Sequence, residues 1–177
     1  MSLRRLVIVN GEEGAGKSTI VRALLPHTPG GARIDAEDIG QTNPCPMDDD
    51  FFALLRRNVA LLVESFWRAG YTNVVAGSFL RTYPDYLAFR EVLAEPAAAV
   101  YLVDLRVARD VRDQRRLTRA KRTTREWRER VDLIPEDTSI REAAGADYRY
   151  LGIDTTDLDV AATVARIRAG IPEIYAP

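Results

Sequence analysis

Residues Gly11-Glu12-Glu13-Gly14-Ala15-Gly16-Lys17-Ser18 constrain this chain more than any other stretch. Two glycines separated by four residues, then Lys, then Ser or Thr, is the pattern of a phosphate-binding loop. Backbone N–H groups must turn inward around a di- or triphosphate, and Gly11, Gly14 and Gly16 supply conformations that a Cβ would forbid. Lys17 places a point charge on the β- and γ-phosphates, and Ser18 offers a hydroxyl to Mg²⁺. The context is the one such a loop needs. Leu6-Val7-Ile8-Val9 before it reads as a buried strand, and Thr19 to Leu25 after it reads as a helix. The loop from Gly11 to Thr19 therefore implies a nucleoside triphosphate site.

The rest of the chain supplies strands alternating with helices. Ala32-Arg33-Ile34, Asn73-Val74-Val75-Ala76, Ala97 to Asp104 and Tyr150 to Ile153 read as strands two to five. Between them the apolar spacing predicts helices over about Phe51–Ala69, from Pro84 to about Leu93, and over Val160–Ala169. Asp48 or Asp49 is placed to cap the first of these, and Asp159 the last. Alternation of this kind implies a parallel sheet with right-handed crossovers and helices on both faces. The expectation is one α/β domain of three layers, 1–177, around a five-stranded parallel sheet.

Ligands of open α/β sheets bind outside the carboxyl ends of the strands. Strand two delivers Asp35-Ala36-Glu37-Asp38 to that edge. If the strand runs on through these residues, Asp35 and Glu37 share a face. One carboxylate can then orient or deprotonate an acceptor hydroxyl while the other holds a water on Mg²⁺. Asp38, just before Ile39, also suits a helix cap. Asp104 closes strand four and reads as an ordinary strand end, although an acid there can also serve Mg²⁺ in a general triphosphatase.

Charge is strongly segregated. The whole chain has a net charge of −1, yet residues 106–130 carry eleven basic residues against four acidic ones. Arg112, Arg115, Arg116, Arg119 and Arg122 fall at three- and four-residue spacings along one helical stripe. This reads as an Arg-rich lid over about 106–147, with arginines on phosphate and stacked on the base. The near-neutral total excludes a global field that attracts nucleic acid. Cys45 is the sole cysteine and His27 the sole histidine, so neither an internal disulfide nor a zinc cluster is expected. No apolar run reaches membrane-spanning length and the N-terminus carries no secretory h-region, so a cytoplasmic protein is expected.

The order of these parts resembles the P-loop small-molecule kinases of adenylate-kinase-like architecture, a group including shikimate, gluconate, adenylylsulfate, chloramphenicol and 5′-end polynucleotide kinases. In several of them strand two ends in Asp-x-Asp, for which Asp35-Ala36-Glu37 stands here. Phe79-Leu80-Arg81-Thr82-Tyr83-Pro84 is similar to the adenylate-kinase segment whose Arg holds substrate phosphate, which makes Arg81 a substrate ligand by resemblance. The acid that often precedes it is replaced by Ala76 or Gly77. Ile39-Gly40 stand where nucleoside monophosphate kinases carry an Arg, which disfavours a nucleotide acceptor. Family lid arginines lie four apart, so Arg112/Arg116 and Arg115/Arg119 both fit. Asp154-Thr155-Thr156 resembles the loop that cradles adenine.

The resemblance implies ATP and Mg²⁺ as cofactors and a small-molecule hydroxyl as acceptor. Lys17, Asp35, Glu37 and Arg116 are the implied catalytic residues. The loop 11–19, Arg115, Arg119, Asp154 and Thr155 would bind nucleotide, and Asp35, Glu37, Asp38 and Arg81 the acceptor. Ser18 and Asp35 are the metal ligands. A 5′-hydroxyl nucleic-acid kinase and a non-kinase ATPase or regulator are the alternatives.

Overall fold

A computed structural model describes residues 3–77, 79–118, 129, 133, 137–145 and 147–176. Its centre is a sheet of five parallel strands in the order β2-β3-β1-β4-β5. The strands are β1 (Arg5–Gly11), β2 (Gly31–Ile34), β3 (Asn73–Gly77), β4 (Ala99–Arg106) and β5 (Arg149–Asp154). The helices are α1 (Lys17–Leu24), α2 (Ala36–Ile39), α3 (Asp49–Arg68), α4 (Tyr83–Val92), α5 (Arg109–Thr118), α6 (Ser139–Glu142), α7 (Val160–Gly170) and α8 (Pro172–Tyr175).

Strict side-chain alternation divides the core into two layers. Leu6 and Ile8 of β1 point to one face with Val74, Ala76, Val100 and Leu102, where α3 and α4 cover them through Val59, Val63, Trp67, Tyr86 and Phe89. Val7 and Val9 point to the other face with Val75, Tyr101 and Val103, beneath Ile20, Val21 and Leu24 of α1 and Val164 and Ile167 of α7. All four β1 side chains are fully buried. Each contributes roughly 1.5–3 kcal/mol of transfer free energy. A strand buried on both faces must read as a continuous apolar run, which is why β1 was recognisable.

The three-layer architecture expected from the sequence is present. Its helix starts follow local chemistry: Asp48 caps α3 by accepting from the Phe51 N–H, and Asp159 caps α7 by accepting from Ala162 N–H. Thr82 and Asp85 form a reciprocal capping box at the start of α4. Pro172 opens the short α8 instead of only ending α7, since its fixed φ suits a first helical turn.

One local expectation needs correcting. β2 does not extend through Asp35 and Glu37, so alternation does not place them on one face. The strand stops at Ile34, and Asp35 becomes the N-cap of α2, its Oδ1 accepting from the Glu37 N–H at 3.2 Å. The carboxylate satisfies a backbone donor that a continuing strand would not have presented to it. The expected lid lies largely outside the described residues, Arg119 and Arg122 among them, and α5 and α6 are its described helices.

Candidate active site

All five strands run the same way, so their carboxyl ends form one edge, and the sequence-predicted residues meet there. Register fixes the layout: Ile34 pairs with Ala76, Val9 with Gly77, Asn10 with Asp104 and Leu105 with Ile153. Strands lie about 4.8 Å apart, so the end of β2 with Asp35 is roughly 10 Å from the phosphate loop leaving β1.

The loop has the backbone that its glycines forecast. Gly11 has φ 140°, and a Cβ there would lie 2.5 Å from the Leu105 carbonyl oxygen of β4. Gly14 has φ 90°, and Gly16 is a left-handed N-cap of α1 with no side-chain cap. The first turn of α1 thus offers its N–H groups and the positive end of its dipole to an anion. Lys17 Nζ donates to the Glu12 carbonyl at 2.9 Å, which holds the ammonium over the loop. Ser18 is the second residue of the same helix, partly exposed beside it.

α5 packs directly on this loop. Arg112 pairs with Glu12, and Arg116 pairs with Glu13 at 3.5 Å and donates from Nε to the Glu13 carbonyl at 3.1 Å. Both arginines are buried, 6% and 2% exposed, and are held by the loop's acids. Arg115, on the adjoining side of the helix, turns to the strand-five loop and donates to the Thr155 carbonyl at 2.9 Å. Thr155 is itself buried and donates to the Arg106 carbonyl. Beside it the Thr156 N–H donates to Asp154 at 3.0 Å and holds that carboxyl below the usual carboxylate range. The structure therefore brings Glu12, Glu13, Arg112, Arg115, Arg116 and Thr155 together.

On the other half of the edge, the second Asp35 oxygen lies 3.9 Å from Arg33, a loose pair that leaves it acceptor capacity. The place a side chain on Gly77 would occupy is 3.8 Å from Asp35 Oδ1. Strand three lacks an acid, and the neighbouring strand delivers one beside the same spot. Glu37 and Asp38 follow in the first turn of α2 and are exposed. Arg81 stacks over Phe52 at the start of α3, 5.9 Å from the ring centroid. Its backbone N–H is held by Asp85, which also pairs with Arg56 at 2.7 Å.

Asp104 accepts from the Tyr150 hydroxyl at 2.8 Å, and burial together with that bond pushes the phenol up to about 12. That bond satisfies the strand-end acid locally. Among the described residues no group of three or more His, Cys, Asp or Glu side chains is arranged to hold a metal.

No protein-family model and no curated protein matches this sequence. Solved structures do match. A sugar kinase from Janibacter sp. HTCC2649 superposes with a TM-score of 0.72 at 17% identity, over 98% of this chain and 96% of the other. This chain has the fold of the P-loop small-molecule kinases. A gluconokinase from Sinorhizobium meliloti 1021 superposes with a TM-score of 0.67 at 16% identity, covering 98% and 94% of the two chains. The Mycobacterium tuberculosis APS kinase, solved with AMPPNP and APS, gives 0.60 at 15% identity over 94% and 96%. No helix among the described residues is long and apolar enough to cross a membrane.

The pairing of Glu12 and Glu13 with Arg112 and Arg116 is the part of this edge that sequence reasoning missed. Its signal was faint: two adjacent acids in the loop, and two basic residues one helical turn apart about a hundred positions later.

Proposed function

We propose that the protein is an ATP- and Mg²⁺-dependent kinase that transfers the γ-phosphate to a hydroxyl of a small molecule. The observation that carries this reading is the meeting, on one sheet edge, of the Lys17 loop with an Asp35 carboxylate that keeps acceptor capacity. A triphosphate held by loop amides and Lys17 would direct its γ-phosphate along the edge toward β2 and β3. Ser18 would hold Mg²⁺ directly and Asp35 would reach it only through a bound water; the ion would supply charge neutralisation on the phosphates. Arg115, beside Thr155, would lie along the base, and Arg119 is a further phosphate ligand on this reading.

In the transfer, the acceptor oxygen bonds to the γ-phosphorus as the bond to the β–γ bridging oxygen breaks and ADP leaves. The hydroxyl proton passes to a carboxylate. Asp35 suits that task better than Glu37, because it is anchored by one oxygen while Glu37 is exposed. Lys17 and the loop amides stabilise charge on the transferring group. Arg81, Glu37 and Asp38 would line the acceptor side. The near-neutral net charge favours a small acceptor over a nucleic-acid end.

The test is ATP turnover against a panel of hydroxyl-bearing metabolites and antibiotics, with wild type and Lys17→Ala. Acceptor-dependent ADP release, falling at least about 100-fold in Lys17→Ala, is the expected result, in line with loss of a donor to developing charge. Unchanged ATP binding in Lys17→Ala, or phosphate release indifferent to every acceptor, would overturn it.

A further inference from the structure

Phosphate loops receive polyanions, yet this one carries two consecutive carboxylates. Left alone, Glu12 and Glu13 would repel the ligand that Lys17 attracts. The fold answers them with Arg112 and Arg116. These lie four residues apart on α5, a rise of about 6 Å, which suits two adjacent loop residues with Cα atoms about 3.8 Å apart. Arg116 is fastened to the Glu13 carboxylate, to the Glu13 carbonyl at 3.1 Å and to Asp113 at 3.2 Å. At 2% exposed, it cannot leave those partners for a ligand without stranding charge in a buried place.

Packing fixes the same contact independently of charge. A Cβ on Gly14 would lie 2.9 Å from Cγ of both Arg112 and Arg116 and 3.1 Å from the Arg112 carbonyl. The helix therefore sits against the loop apex more closely than any other residue would allow. The neighbouring Arg115 ties the helix to Thr155, and the Ala108 N–H just before the helix donates to Thr156 Oγ1 at 2.9 Å.

We infer that Glu12 and Glu13 are positioning residues of the nucleotide site, which dock α5 on the phosphate loop through Arg112 and Arg116. Loop, α5 and the Thr155 turn are then assembled before the nucleotide arrives. This rests on the kinase reading and deepens it. Arg112 and Arg116 hold the loop's acids and are thereby withdrawn from phosphate contact, while Arg115 faces the Thr155 turn.

Hydrogen exchange and nucleotide binding on the full chain test this together, in wild type, Glu13→Gln and Glu12→Gln. In wild type without nucleotide, segments 10–18 and 109–118 should both be protected. In Glu13→Gln the two segments should lose protection together. The ATP KM should rise about tenfold while the acceptor KM holds, a split that general destabilisation would not produce. Glu12→Gln, whose side chain is 56% exposed, should give a smaller change of the same sign, and it serves if Glu13→Gln fails to fold. Tighter or unchanged ATP binding in these variants would overturn the inference and mark the carboxylates as simple repulsion. So would a wild-type α5 that becomes protected only when nucleotide is added. If wild type binds no ATP, the kinase reading fails, and the coupled exchange alone decides the docking.

Discussion

The two halves of the carboxyl edge are built by different means. Beside β1, β4 and β5, the site is backbone and buried charge: a loop with three glycines at positive φ, and arginines 2% and 6% exposed locked on it. Beside β2 and β3, it is side chains near solvent. Glu37, Asp38 and Arg81 are exposed, as is nearly all of the stretch from Gln41 to Asp50. On the proposed kinase reading, the difference would follow from the ligands. A triphosphate presents the same oxygens whatever the acceptor, so amides and fixed charges can be set for it in advance. An acceptor is recognised by loop side chains, which change without disturbing the core.

If that division holds, substitutions on the two sides should fail differently. The largest effect should come from Asp35→Asn, which keeps the shape and the N-cap but removes the proposed base. Its kcat should drop about 10²- to 10⁴-fold, the range of general acid–base catalysis, with ATP binding retained. Steady-state kinetics alongside nucleotide titration read this directly. Loss of ATP affinity equal to the loss of kcat would put Asp35 on the donor side and break the comparison.

Gly14→Ala should act on the opposite half. The residue has φ 90°, and the new methyl would press on both arginine stems. A non-glycine there costs about 1–3 kcal/mol from backbone strain alone. The variant should melt several degrees lower and bind ATP more weakly. Calorimetry together with the acceptor KM separates the halves, since the acceptor KM should hold.

The smallest effect concerns alkaline pH. Tyr150 is raised from 10.0 to about 12 by burial and by its bond to Asp104. The unfolded chain gives up this proton first, so the contribution to stability is complete below pH 10 and is lost as pH rises through about 12. Tyr150→Phe should flatten the fall of Tm above pH 10. At neutral pH it should cost about 1 kcal/mol for the lost hydrogen bond. An unaltered alkaline slope would mean that other groups govern that limb.

Much of the donor half was legible because its demands are local. Gly11 to Ser18 must bend, donate and pair with phosphate within eight residues, and the strand before and helix after are set by apolar periodicity. Asp48 and Asp159 cap their helices as expected for the same reason: the donor each satisfies is three residues away. Asp35 shows the limit. Its presence at the edge was legible, but the strand gives way there to a helical turn, which the Asp35 side chain caps at the Glu37 N–H and whose Asp38 N–H bonds the Asp35 carbonyl.

The sequence alone thus determined the phosphate loop, the strand–helix alternation and the acid after strand two. Tertiary structure decided what the arginines do. Arg112, Arg115 and Arg116 share a composition, a helix and a spacing that solvated surface arginines also show. Only the passage of the loop and of Thr155, residues 103 and 40 positions away along the chain, buries two of them against carboxylates and turns the third toward the strand-five loop. Whether a charge is solvated or paired depends on what packs over it, and no local pattern carries that information.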